Sequence, residues 1–230
     1  KDLAQEVIYG LSRVQVGGGR LRGDDGSVGA WAATASKEYG NVARGMYGNI
    51  DLTSYNESRC RKYGDSGPPT ELLSVAKEHT VKEITLVKTT DELRKALANG
   101  YAAAVSSSVG FGSRGPWQRD KDGILLPAGS WSHCMSVIGY TKHPTRGYLF
   151  YIMNSWNETW VQGPKGAGNP PPGGFYVTER TMQRMLDDGD TWVFSNFSEF
   201  KKQELNWFVI RKPNRISDPF TRLTEVSLAW

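Results

Sequence analysis

This chain has few of the residues that usually announce chemistry. Its 230 residues include two cysteines, Cys60 and Cys134, and three histidines. Two cysteines are too few for a disulfide framework, which favours the cytoplasm or the inside of a virion-like assembly over a secreted setting. No apolar run reaches the roughly 18 residues of a membrane span, and no signal-peptide pattern opens the chain, so no membrane partner is expected. The first residue is Lys1 rather than Met, and a processed or trimmed N-terminus is expected. The net charge of +4 is small and the basic residues are scattered, which argues against a nucleic-acid partner. Cofactors and metals are not expected, and no internal repeat is present.

What is there suffices for folding. At 38% hydrophobic, the chain can build one sizeable core or two small lobes. The run Gly17–Gly23 reads as a loop, and Ser27 to Tyr39 as a buried helix stopped by Gly40. A second helix is predicted from Pro69 to His79. A third follows the capping box Thr89-x-x-Glu92 and stops at Gly100. Beyond Gly100 the texture turns to strands: Tyr101 to Ser106, His133 to Tyr140, Tyr148 to Met153 and Gly174 to Val177. Helices first and strands afterwards predict an α+β chain with a helical lobe over about 20–98 and a β lobe over about 100–200. Gly163 to Gly174, with three consecutive prolines, reads as a stiff surface insertion. The apolar extension 201–230 is expected to dock on its own domain or on a protein partner.

Two segments carry a chemical pattern. His133 opens an alternating strand, so His133, Met135 and Val137 share one face while Cys134, Ser136 and Ile138 share the other. Asn154 ends the next apolar strand, well placed to offer an amide oxygen to an imidazole on the neighbouring strand, with Trp156 covering the hydrogen bond. Read singly, His133 would be a core histidine and Asn154 a turn residue. His79 and His143 read as surface residues. The combination of a strand-opening histidine, Asn154-Ser155-Trp156-x-x-x-Trp160 and Gly174-Phe175-Tyr176 resembles the papain-like cysteine peptidases. That resemblance implies a two-lobed α+β fold, His133 as base and Asn154 as its orienting amide.

The thiol is what the pattern lacks. Laid without a gap on that family's nucleophile loop, Arg22 to Ala33 put Val28 at the nucleophile and Arg22 at the oxyanion-hole glutamine. Asp25 takes the place of the loop's disulfide cysteine, Trp31 the aromatic position and Glu38 the helix glutamate. A gapped register puts Ala30 at the nucleophile. A shift by one puts Ser27 there, and a serine hydroxyl is far less ionised than a thiol near neutrality. The structural alternative for Ser27 is a helix N-cap. Cys134 faces away from His133 and reads as a small buried apolar residue. Cys60, in the loop before Gly64–Gly67, reads as a free thiol, its implied partner position being Asp25. Valine is not what an experimenter introduces to trap a protease, so the loss reads as natural. Because Ser66-Gly67 replaces the paired glycines with which the family holds an extended peptide in its cleft, peptide binding is only a possible use. The expected role is a pseudo-peptidase that binds a protein partner or builds a larger assembly, viral or phage assemblies included. The competing reading is a hydrolase of peptide or peptidoglycan amides using Ser27, or one whose cysteine has been replaced.

Overall fold

The computed structural model describes residues 2–112 and 117–197, and the extension 201–230 lies outside them. The chain divides into two compact units. One comprises Lys1–Thr85 with the strand end from Phe194; the other is Leu86–Val193.

The first unit is mainly helical. It holds α1 (Gln5–Gly10), a π-helical segment (Leu11–Val16), α2 (Gly29–Glu38), the short strands β1 (Met46–Tyr47) and β2 (Ile50–Asp51), α3 (Glu57–Ser66), α4 (Glu71–Lys77) and β3 (Val81–Leu86). Its core gathers Val7, Leu11, Ala35, Leu52, Tyr63, Leu72 and Ala76. Gly10 lets α1 and α3 approach closely, since a Cβ there would stand 2.8 Å from the Tyr63 carbonyl oxygen. Gly40 ends the α2 segment at φ 92°, where a Cβ would collide with the Ala76 carbonyl at 1.8 Å. The helix over 29–38 lies inside the predicted 27–39, and α4 lies inside 69–79. Neither α1 nor α3 was expected. Cys60 and Gly64 therefore lie on a helix rather than in a loop. Asn56 starts that helix, its Oδ1 accepting the Arg59 N–H at 2.8 Å.

The second unit is built on a sheet. In chain order it holds α5 (Thr90–Ala98), β4 (Ala103–Val109), β5 (Trp117–Gln118), β6 (Ser130–His143), β7 (Gly147–Met153), β8 (Val161–Gln162), β9 (Gly174–Thr178), α6 (Glu179–Leu186) and the start of β10 (Asp190–Phe197). The antiparallel order is β10-β4-β6-β7-β9. The capping box is present, Thr89 accepting from the Glu92 N–H and Glu92 from the Thr89 N–H. The division falls at Thr85/Leu86, ahead of α5, because Leu93 and Leu97 of α5 join Val105, Val137, Phe150, Ile152 and Met182 in this unit's core.

Strand β6 carries two irregularities that matter for the site. Against β4, Ser107 pairs with His133 but Val109 pairs with Ser130, so Trp131 and Ser132 together oppose Ser108. Against β7, Val137 pairs with Ile152 but Gly139 with Tyr151, so Ile138 is extra. His133 to Val137 is the regular stretch between two bulges. Along it Met135 and Val137 are buried on the His133 side.

Candidate functional site

The histidine and asparagine meet. His133 Nε2 lies 2.9 Å from Asn154 Oδ1, and the same oxygen accepts the Ser155 backbone N–H at 2.8 Å. That second bond fixes which end of the amide faces the imidazole. Since the oxygen only accepts, Nε2 carries the proton and Nδ1 keeps its lone pair as a base. Asn154 is buried, and its Nδ2 has no hydrogen-bond partner among the described residues.

Tryptophans wall this pair. The Trp156 ring centroid lies 5.3 Å from that of His133 at 36°, and Trp131 lies 5.7 Å from it edge-on. Trp156 also touches Trp117, Trp131 and Trp160 at 5.5, 5.3 and 5.0 Å. Trp156 remains 42% exposed, so it shields the imidazole from one side while presenting its own face to solvent. Trp160 is buried, its indole N–H donating to the Gly173 carbonyl at 2.7 Å. Beneath them lies Arg119, a residue that sequence reasoning missed. This buried guanidinium donates to the carbonyls of Gly174 (2.8 Å), Gly163 (2.7 Å) and Gln162 (3.2 Å), tying the loop after Asn154 to the sheet. Burial pulls its pKa down. The proline-containing insertion is pinned from inside by the Tyr151 and Tyr176 hydroxyls, on the carbonyls of Pro171 and Ala167.

The loop on which the resemblance places the nucleophile lies in the first unit. Val28 is the N-cap of α2, 36% exposed, and no side chain caps the helix. The N-cap expected at Ser27 is thus displaced by one residue. Ser27 is exposed, and its hydroxyl instead lies 2.9 Å from that of Ser12. Ala30 is the second residue of α2. Arg22 is exposed, and its Nε donates to the Asp65 carbonyl at 3.1 Å. Asp25, where the resemblance places a disulfide cysteine, forms an exposed ion pair with Arg61 at 2.8 Å.

A second buried guanidinium organises this loop, and sequence reasoning missed it too. Arg13, 1% exposed, donates to the carbonyls of Leu21, Asp24 (2.7 Å), Gly26 and Gly64 (3.0 Å) and to the Tyr9 hydroxyl (3.0 Å). The Tyr9 hydroxyl in turn accepts the Gly26 N–H at 3.1 Å, and burial pushes the phenol pKa up. An arginine amid apolar Leu11, Val14 and Val16 was the available signal.

Neither thiol is part of the loop itself, and Cys60 lines a cavity together with Asp25 and Ser27. Cys60 is a half-buried free thiol on α3, its pKa pushed up by burial. Cys134 lies on the face of β6 opposite His133 and is exposed rather than buried, because it sits outside the core-facing set of that strand. His79 and His143, expected at the surface, are half-buried, the latter with Nε2 3.6 Å from the Asp122 carboxylate. No group of three or more His, Cys, Asp or Glu able to hold a metal occurs among the described residues.

Comparison with solved structures finds cysteine proteases. Xylellain from Xylella fastidiosa superposes with a TM-score of 0.53 at 19% identity, over 84% of this chain and 69% of that one. Procathepsin L 3 from Tenebrio molitor gives 0.49 at 13% identity, over 85% and 56%. The clostridial cysteine protease Cwp84 gives 0.49 at 14%, over 87% and 48%. No protein-family model and no curated protein matches the sequence. The chain spans about half the length of two of these proteases. It has the papain-like α+β fold, as the residues around His133 and Asn154 implied.

Proposed function

We propose that this chain, papain-like in fold, is a pseudo-peptidase that binds protein or peptide without cleaving it, as a module of a larger assembly. The observation behind this reading is a mismatch between two places. The base and its amide are ordered at His133 and Asn154, whereas the helix start that should bear a thiol offers Val28. Valine cannot form an acyl intermediate, and a neutral serine hydroxyl next to it is a weak nucleophile without strong activation. The surface beside His133 is suited to binding: Trp156, backed by Trp117, Trp131 and Trp160, is a rigid, part-exposed aromatic anchor.

One observation favours a second reading. The Ser27 hydroxyl is exposed and held by Ser12, so a Ser27 hydrolase acting on peptide or peptidoglycan amides is the alternative. Incubating the purified chain with fluorogenic peptides and with peptidoglycan cross-link peptides separates the two. The binding reading expects no turnover from the unmodified chain, Ser27→Ala or His133→Ala, and saturable peptide binding that Trp156→Ala weakens at least tenfold. Turnover abolished by both Ser27→Ala and His133→Ala would overturn it.

A further inference from the structure

We propose that Asp188 is a positioning residue for His133, acting through the end of β4. The inference rests on the reading above only in taking the His133 surface as the working one. The β10–β4 ladder ends at Asp190 opposite Ser106, so β4 continues through Ser107, Ser108 and Val109 without a strand on that side. The Asp188 carboxylate takes the missing strand's place. Its Oδ2 accepts the Ser107 hydroxyl at 2.9 Å and the Ser108 N–H at 2.6 Å, and the Ser108 hydroxyl lies 3.0 Å from it. Ser107 passes the constraint on, since its buried Oγ also accepts the Val109 N–H at 3.0 Å.

These residues are the ones His133 leans on. Ser107 is its direct partner across the β4–β6 ladder, and Ser108 is the single residue facing the bulge at Trp131–Ser132. The bulge is closed from the β6 side by the Ser130 hydroxyl, which donates to the Ser108 carbonyl at 2.9 Å. A bulge bends its strand and re-aims the side chains beside it. Holding the residues opposite it therefore fixes the direction in which His133 leaves β6, and with it the 2.9 Å contact to Asn154. Asp188 touches neither the imidazole nor any reacting atom. Its carboxyl pKa is held down: burial opposes this, and the Ser108 N–H, the two serine hydroxyls and Arg184 outweigh it. It is thus an anionic acceptor at neutral pH.

The test is the tautomer of His133, read by nitrogen-15 NMR of the histidine-labelled chain without any peptide. The unmodified chain should show Nε2 protonated and Nδ1 bare. Asp188→Ala should lose that preference and mix the tautomers. Asp188→Asn, which keeps an oxygen for the Ser108 N–H, should restore most of it, and Asp187→Ala should leave it unchanged. Unaltered His133 signals in Asp188→Ala would overturn the proposal, as would an Asp188→Asn variant no better than alanine. Should Asp188→Ala fail to fold, Ser107→Ala combined with Ser108→Ala removes the hydroxyl donors and is expected to mix the tautomers likewise. Unchanged signals there would overturn the proposal. Because no substrate enters the measurement, its failure is distinct from a failure of the binding reading, which the turnover assays decide.

Discussion

Arg13 and Arg119 do the same work in different surroundings. Each is a buried guanidinium that spends its donors on backbone carbonyls, and each holds one of the two loops a papain-like site would need. Arg13 has a distant anion, Asp65 at 3.5 Å, and a tyrosine face at 5.0 Å. Among the described residues Arg119 forms no ion pair. Its neighbour Tyr151, with a phenol pushed by burial up to about 12, stays neutral near pH 7. The loop under Arg119 follows the amide and carries the tryptophans, whereas the loop around Arg13 carries no thiol. The difference teaches that the scaffold of a site and its chemistry are held by separate residues. A buried clamp on carbonyls holds a loop whatever side chains that loop presents.

The largest effect should follow loss of the first clamp. Arg13→Ala strips donors from four carbonyls in and near the loop, and chemical denaturation should show a loss of about 3 kcal/mol. Arg13→Lys should recover little of it, because an ammonium cannot reproduce the planar fork. Arg119→Ala should cost somewhat less, about 2 kcal/mol, and should change tryptophan fluorescence as the loop bearing Trp156 and Trp160 loosens. If Arg13→Ala altered the His133 tautomer as much as Arg119→Ala did, the two clamps would not be separate and the comparison would break.

Acid sharpens the contrast. Buried Glu6 on α1 pairs with Arg44 at 3.0 Å and Arg59 at 2.8 Å. Burial works to raise its pKa, but the two guanidiniums win and hold it below the ordinary 4.5. Its stabilisation is therefore complete above the unfolded value near 4.5 and is lost as pH falls through the lower folded value. Glu6→Gln should flatten that acid limb in a pH series of thermal melts. The smallest effect belongs to the exposed pair Asp25–Arg61, where Asp25→Ala should leave the denaturation midpoint unchanged because solvent screens the pair. A lowered midpoint would make that pair a third clamp.

Legibility in the sequence followed the range of the interactions. The Thr89–Glu92 capping box and the alternation at His133, Met135 and Val137 are local, and both elements formed where the pattern put them. The glycine stops at Gly40 and Gly100 were equally plain, both residues having positive φ. Helix α3 was hidden because Glu57 to Ser66 is almost wholly polar and offers no apolar period. Ser27 looked like a cap because serine usually is one, and a partner 15 residues away claimed its hydroxyl instead. The two clamps left little trace because their acceptors are carbonyls, which every residue carries. The bulges in β6 leave no compositional mark at all.

The π-helical segment has one more consequence. Over Leu11–Val16 the helix takes one residue more per turn than an α-helix, as in the bond from the Gly17 N–H to the Ser12 carbonyl at 2.9 Å. Such a turn stores one extra residue. Deleting Val14 alone would let it relax to ordinary winding with little net rotation from Gly17 onward, because six π-wound residues and five α-wound residues sweep nearly the same angle. The carbonyls of Leu21, Asp24 and Gly26 would then still face the guanidinium. The turn is thus a place where the chain can lose one residue without redirecting the loop that follows.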